Sequence, residues 1–529
     1  MLNDRHDVRD LHSTFNIKHS TFPVPVLLYA LLGLIVIPIF PHFLSPNEFT
    51  RWVTAAAIVD DHTFQVNRYL PLLGDGFEDL SEIDGRVYSN KAPGLAVVGL
   101  PGYAAARAVV GPPSPATMRV TLTAMRWLTA TLPAILLAIL FARAAGRFGA
   151  SKEQIAAAVV ALLFGTPLFA YGLLNFSHAM TAFALFAAWV LLFVKPGAWG
   201  DVGAGALIGL AVVSEYPCAF AGAVLVAFAV RQRSIVRIIA GGLPFAVALA
   251  IYNKLAFGSV FTLSSAHERN AAFRSMAGEG LFGIGVPKIA TLAHLLFDPS
   301  KGLFLFSPIV FIALAMLPRA YRAMSARQFG SLVATPLVLV LLYSGYPNWH
   351  GGWTVGARYL VPALPFLLFP LVFSAGSALE SLLLGASVAA CVVTSIVFPF
   401  VPNDIPAPWG TFAFPLLARG LIAPNLFHLI ARPLAIVMPL AVAAAAVAAG
   451  ARRRLLLILG AAVCLGIGTY VPVSPLVRLE RAFIEEVSFE RPNAIAEEVG
   501  EDPRAAAAAV GLVRRAAGSQ RQPPPSWPF

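Results

Sequence analysis

The chain has 529 residues, 58% hydrophobic and only 12% charged, with a formal net charge of +11 and three cysteines. Ordinary soluble domains carry about 25% charged residues, so a soluble multi-domain protein is excluded. Repeated apolar runs near the ~20 residues that cross a bilayer make the chain polytopic instead. The positive balance does not mark a nucleic-acid binder, because Arg and Lys fall in short clusters at the ends of apolar runs, as the positive-inside rule requires.

Segment 1–22, with Arg5, Arg9 and Lys18, reads as cytoplasmic. The first apolar run, 23–45, is too long for a signal-peptide core and lacks a small-residue cleavage site, so a signal anchor is expected. A polar external loop follows, 46–118. Its stretch 46–92 holds eight of the chain's 27 carboxylates: Glu48, Asp60, Asp61, Asp75, Glu78, Asp79, Glu82 and Asp84. The stretch closes on Tyr88-Ser89-Asn90-Lys91-Ala92-Pro93. Helix is expected over 48–59, and a hydrated acidic turn around Gly74, Gly76 and Gly85. Segment 94–110, interrupted by Pro101-Gly102 and carrying Arg107, reads as an interfacial helix that does not cross.

Further apolar runs lie at 119–143, 153–174, 178–195, 203–230, 234–257, 303–318, 330–346, 358–378, 382–401, 432–450 and 455–472. With the N-terminus inside, Arg143/Arg147/Lys152, Lys195, Arg231/Arg233/Arg237, Arg319/Arg322/Arg327 and Arg452/Arg453/Arg454 all fall in the cytoplasm on one condition. Run 203–230 must turn back as a hairpin near Ser214-Glu215-Tyr216-Pro217. The expected fold is all-α and polytopic, with about thirteen crossings. A transmembrane domain spans 23–474, and an external tail, 475–529, is expected as one helix and a disordered end. Cys218, Cys391 and Cys464 lie in apolar segments without metal-ligand spacing and read as packing residues. High Ala, Pro and Arg usage fits the inner membrane of a GC-rich bacterium.

This topology gathers five polar stretches at the external face: loop 46–118, Asn175-Phe176-Ser177-His178, the hairpin tip, loop 258–302, and Trp349-His350-Gly351-Gly352-Trp353 running into Arg358-Tyr359. No internal repeat is visible, which weighs against a transporter.

The pattern resembles the GT-C membrane glycosyltransferases, in particular the family-39-like branch. That branch holds protein O-mannosyltransferases, lipid A aminoarabinose transferases and rhizobial core galacturonosyltransferases. Its Asp-Glu pair after the first span corresponds to Asn47-Glu48, its Lys-Pro-Pro-like motif to Asn90-Lys91-Ala92-Pro93-Gly94, and its Thr-Lys-Gly hairpin tip to Ser214-Glu215-Tyr216-Pro217. Gly356-Ala357-Arg358-Tyr359-Leu360 with Pro362-Ala363-Leu364-Pro365 is similar to a late motif of the branch. The likeness covers roughly residues 25–370. Two positions depart from it: Asn47 stands where the branch has its base Asp, and Glu215 where it has Lys.

The resemblance implies transfer of a sugar from a polyprenyl-phosphate donor to a cell-envelope glycan, lipid or protein acceptor, with inversion at the anomeric carbon. Membrane lipids are the other partner, nucleic acid is not one, and no cofactor is assigned; a divalent metal is conceivable but not expected. A base must take the acceptor's proton, and fixed cations must hold the departing phosphate. Glu48 is the expected base, its alternative being a helix N-terminal acid. Asp60 and Asp61, beside His62, are the second choice, read otherwise as a solvated helix end or ligands for a hard cation. Lys91 and Arg358 are expected to hold phosphate, with Tyr88 orienting it; lipid anchoring is the plain alternative for both cations. His178, Glu215, Tyr359 and Asp84 are expected at the cavity, with Glu215 meeting Lys91, Arg358 or a loop cation. His267-Glu268-Arg269 reads as solvated loop, with contact to the acceptor as its alternative, and Trp349, His350 and Trp353 as interfacial aromatics, with stacking on sugar or prenyl chain as theirs. A lipid-diphosphate polymerase or ligase, a lipid or solute transporter and a scaffold are the rival functions.

Overall fold

The computed structural model describes residues 24–74, 77–230, 233–281, 283–500 and 502–516. Arg5, Arg9, Lys18, Asp75, Gly76, Arg231 and the Pro-rich end after 516 lie outside them. The chain is an α-helical bundle carrying one two-stranded sheet.

Helix α1 (Val24–Ile35) is shorter than the apolar run that contains it. Pro38, Pro41 and Pro46 remove amide donors and bar helix continuation, so 36–45 runs irregularly back over the bundle. There Ile37 N donates to Pro424 O at 2.8 Å, and Val36 bridges Asn425. Helix α2 (Pro46–Asp61) then begins with proline in its first turn, where the missing N–H costs nothing. It ends at His62, whose φ of 53° is left-handed.

The expected acidic turn is instead a β-hairpin, Leu80–Ile83 (β1) against Arg86–Ser89 (β2), with Leu80 opposite Ser89. Asp84-Gly85 makes its turn, both at positive φ, as two-residue hairpins prefer. The outer edge of β1 is covered by loop 258–302. Arg269 N donates to Leu80 O at 2.8 Å, Ser81 Oγ to Ser264 O at 2.7 Å, and Ser264 Oγ to Asn90 O at 2.8 Å. Two loops far apart in sequence are thus bolted together by main-chain bonds.

Helix α3 (Gly94–Val110) packs on α2 and on the long α4 (Pro115–Arg147), which is interrupted by a π turn at Trp127–Thr131. Then come α5 (Lys152–Phe164), α6 (Ser177–Val194), α7 (Ala198–Ser214), α8 (Cys218–Ala229) and α9 (Ile235–Phe257). The chain breaks between α7 and α8 at Glu215-Tyr216-Pro217, and the two helices pack on each other, as the hairpin expectation requires. Helices α7 and α9 approach until their backbones touch. A methyl at Gly205 would run into Ile238 O and one at Gly241 into Val202 O, the small-residue contact common between membrane helices.

The expected run 303–318 is broken at Ser307-Pro308 and Met316 into Leu303–Phe306, Ile309–Ala315 and Leu317–Ala323. Helices α10 (Ala326–Ser344), α11 (Arg358–Phe373) and α12 (Ala378–Val397) follow. Stretch 402–431, empty in the sequence reading, holds a short apolar helix, α13 (Trp409–Ala418). Beyond α14 (Arg432–Gly450) and α15 (Arg454–Thr469) the tail corrects the expectation of a single helix. It forms α16 (Pro475–Ser488), α17 (Ala494–Val499) and α18 (Pro503–Ala516). Glu485 of α16 is fully buried and gripped by Arg419 and Arg491, and Phe489 packs on Phe40 and Phe398. The tail therefore docks on the body.

Among the described residues, six helices are long and apolar enough to cross a membrane: α4, α6, α9, α10, α12 and α14. Shorter apolar helices pack beside them.

Candidate functional site

All five polar stretches line one cavity with two lobes, of about 420 and 410 Å3. The lobes share Asn47, Asn90, Lys91, Ser265, Glu268, Tyr346, Arg358 and Tyr359. The first is polar, walled by Glu78, Asp79, Asn270, Asn348, His350, Asn403 and Trp353. The second is mostly apolar, walled by Ala92, Pro217, Ala219, Phe220, Leu263, Leu281 and Ile284, with Arg51, His178, Glu215 and Tyr343 at its polar end.

Two cations, Lys91 and Arg358, stand where the lobes meet, and a third, Arg51, lines the polar end of the second lobe. Lys91 Nζ pairs with Asp79 Oδ1 at 2.9 Å. Arg358 leans over the rings of Tyr359 and Phe176, 4.7 and 5.6 Å from their centroids, and donates from Nη2 to Tyr359 Oη at 2.9 Å. Arg51 is 4% exposed and donates to Asn47 O and Asn47 Oδ1, one helical turn back. The Nε atoms of Arg51 and Arg358 are buried without a hydrogen-bond partner. Unpartnered buried donors on two guanidiniums suit a multivalent anion.

Two carboxylates face these cations in opposite conditions. Burial would raise Asp79, but the Lys91 charge and hydrogen bond, with Asn90, outweigh it and hold Asp79 below the usual carboxylate range. Glu268 accepts both its hydrogen bonds from Asn90 Nδ2, at 3.1 and 2.9 Å. It is 8% exposed, and burial, aided by Asp79 and Glu78, pushes it up to about 7 against the pull of Lys91 and Asn90. One acid is a fixed counter-ion and the other is poised to exchange a proton near neutral pH.

The sequence-predicted residues divide accordingly. Lys91, Arg358, Tyr359, His178 and Glu215 do line the cavity. Glu215 meets neither Lys91 nor Arg358. Its carboxylate accepts from Ser177 Oγ and Tyr343 Oη and pairs with His178 Nδ1, each at 3.0 Å. Burial would raise Glu215, but the His178 ring and these donors bring it down to about 2. Tyr343 in turn stacks on Tyr359 at 4.8 Å, so the hairpin tip, α6, α10 and α11 converge on one acid.

Glu48 is a correction. It is 0% exposed, lines neither lobe, and makes a two-pronged pair with Arg126 at 2.8 Å while accepting from Asn175 N at 2.6 Å. The helix turns Asn47 to the cavity and Glu48 into the bundle. Asp60 and Asp61 sit at the far end of α2, outside both lobes. Asp60 accepts from Tyr103 Oη at 2.9 Å and Arg107 Nε at 2.7 Å, and Asp61 pairs with Arg68. Tyr88 is buried against Tyr252, Ala256 and Phe257 rather than in the cavity. Asp84 is exposed in the hairpin turn.

Sequence reasoning passed over Arg51, Asn90 as a linking amide and Asp79 as partner of Lys91, and it ranked Glu268 as solvated loop ahead of an acceptor contact. Arg51 had a signal, since it lies four residues after Asn47 and shares its helix face. Glu268 had none, because only the strand pairing to β1 carries it inward. Of the three aromatic residues near 350, Trp349 stacks on His294 at 5.0 Å, while His350 and Trp353 wall the polar lobe. Burial, with Lys301 and Arg358 nearby, lowers His350 to about 4.

No family model and no curated protein matches the chain. Solved structures do. ArnT from Cupriavidus metallidurans, bound to undecaprenyl phosphate, is similar with 16% identity over 87% of this chain and 78% of that one, at a TM-score of 0.45. Arabinosyltransferase EmbB from Mycobacterium smegmatis has 14% identity over 89% and 43%, at 0.39. The archaeal oligosaccharyltransferase AglB from Archaeoglobus fulgidus, in complex with an inhibitory peptide and a dolichol-phosphate, has 14% identity over 96% and 61%, at 0.39. All three are GT-C glycosyltransferases.

Proposed function

We propose that this protein is a membrane glycosyltransferase that moves a sugar from a polyprenyl-phosphate donor to a hydroxyl of an envelope glycan, lipid or protein. The observation that carries this is the cation cluster at the seam between the polar and the apolar lobe. A lipid-phosphate sugar has the matching order of parts. Its prenyl chain suits the wall of Pro217, Ala219, Phe220 and Leu263, its phosphate suits Lys91, Arg51 and Arg358, and its sugar suits the amide- and carboxylate-lined lobe beyond.

In the reaction, Glu268 as carboxylate takes the proton of the acceptor hydroxyl while the oxygen attacks the anomeric carbon. The bond from that carbon to the phosphate oxygen breaks, and its electron pair stays on the phosphate. Charge therefore grows on oxygens facing Lys91 and the two guanidiniums, where a dry, fixed cation stabilises it most. Asp79 keeps Lys91 in place. Single displacement inverts the anomeric carbon. Placing the cavity on the external face, with the N-terminus in the cytoplasm, satisfies the positive-inside rule.

Purified protein with a radiolabelled polyprenyl-phosphate sugar tests this. Turnover should be lost in Glu268→Gln and in Arg358→Ala. Turnover only with a lipid-diphosphate sugar would replace the donor assignment, and none with either would refute the function. Thiol labelling of Asp84→Cys from the cytoplasmic side alone would invert the topology.

A further inference from the structure

Lys301 is the largest fully buried cationic side chain in the described structure, 1% exposed. Its ammonium meets four neutral oxygens. It donates to Asn403 Oδ1 at 2.8 Å, to His350 O and Thr354 Oγ1 at 3.3 Å, and to Gly352 O at closest range. Such a ring of carbonyl, amide and hydroxyl oxygens is the environment that a bare monovalent cation takes up in a protein; here the chain supplies the cation itself. Burying an ammonium among dipoles is costly unless each N–H is matched, and here every N–H has an oxygen to donate to.

The place it grips indicates its purpose. Gly351 lies between the two clamped carbonyls at a φ of +72°, and the Arg358 side chain runs directly across it; a methyl there would collide with Arg358 Nε. His350, Gly352 and Trp353 from the same loop, and Asn403 from the clamp itself, wall the polar lobe. Lys301 does not line either lobe.

We propose that Lys301 is a positioning residue whose ammonium, as an internal cation, clamps the His350 and Gly352 carbonyls and so lays Arg358 across Gly351 toward the bound phosphate. The phosphate part of this rests on the function proposed above, whereas the clamp does not. Lys301→Ala leaves an oxygen-lined hole matched by methylammonium, and Lys301→Met fills the hole with an apolar chain.

Two readouts on the full-length protein in detergent separate the parts. One is hydrogen exchange of the amides at 351–358; the other is the Kd for farnesyl phosphate. Lys301→Ala should speed exchange in that loop and weaken farnesyl phosphate about tenfold, the effect of losing one well-placed charged hydrogen bond. Methylammonium chloride, but not tetramethylammonium chloride (which has no N–H and is too bulky for the ring) at equal ionic strength, should reverse both. Lys301→Met should show the same losses without reversal. Gly351→Ala, which keeps Lys301 but strains the backbone between the clamped carbonyls and sets a methyl against Arg358 Nε, should weaken farnesyl phosphate comparably. Wild-type exchange and affinity in Lys301→Ala would overturn the proposal, as would undiminished affinity in Gly351→Ala. If wild-type protein does not bind farnesyl phosphate, the donor assignment fails, and loop exchange with its methylammonium reversal alone decides the clamp.

Discussion

Replacing Glu268 by Gln should make the protein more stable and nearly inactive, and only at the higher pH values should the stability gain be visible. The Glu268 carboxyl moves from 4.5 to about 7 on folding, chiefly through burial. At about 1.36 kcal/mol per tenfold change in proton affinity, that is roughly 3 kcal/mol. Below pH 4.5 the group is protonated in both folded and unfolded chains, and no penalty exists. Between pH 4.5 and about 7 the unfolded chain ionises while the folded carboxyl, in a dry lobe beside Asp79 and Glu78, resists, so the folded state loses up to that amount, in full above pH 7. Gln does not titrate, keeps the side-chain volume and still accepts from Asn90. Apparent melting temperatures of both proteins in detergent should therefore coincide near pH 4 and separate above pH 7, with the Gln variant higher. Over the same range kcat/KM of the wild type should climb to a plateau above about pH 7. The variant should lose about 10²–10⁴-fold in kcat, the usual worth of a general base. A Gln variant that retains activity, or melts below the wild type at pH 8, would refute the assignment.

Other outcomes follow from the same geometry. Glu48→Gln should destabilise the protein by about 3–5 kcal/mol, because Arg126 is left buried and unpaired; Glu48→Gln with Arg126→Met should recover much of this in thermal unfolding. Arg358→Lys should raise KM for the donor more than it lowers kcat, since a point charge replaces the planar fork, as steady-state kinetics would show. Glu215→Gln places an amide N–H against Ser177 or His178, and the turn between α7 and α8 should loosen, read as faster hydrogen exchange at 214–218. Tyr88→Phe and Asp84→Asn should leave turnover within about twofold and stability within about 0.5 kcal/mol.

Much of the helical layout was legible because apolar runs and basic clusters are strong signals in a membrane chain. Where the reading missed, proline or pairing was responsible. Pro38 and Pro41 cut the first run, and Ser307-Pro308 cut another, effects that a hydropathy window averages away. At the site, Lys91, Arg358, Tyr359, His178 and Glu215 could be found from their types and places. Glu48 misled because adjacent residues on a helix point about 100° apart, and nothing in Asn47-Glu48 says which one faces the cavity. Glu268 was read first as solvated loop because its position is a tertiary fact, set by the bonds between β1 and a loop that follows seven further helices.

That last feature has a bearing on biogenesis. Asn90 and Glu268 are 178 residues apart, and the threads joining their segments are a few main-chain and hydroxyl bonds along a single strand edge. While the ribosome is still making the intervening helices, the nascent polypeptide already holds Arg51, Lys91 and its counter-ion Asp79 but lacks Glu268, the proposed base. On the proposed mechanism, catalytic competence thus switches on late in synthesis, at a docking step between loops 46–118 and 258–302. A lesion in β1 would leave every helix inserted and the enzyme silent.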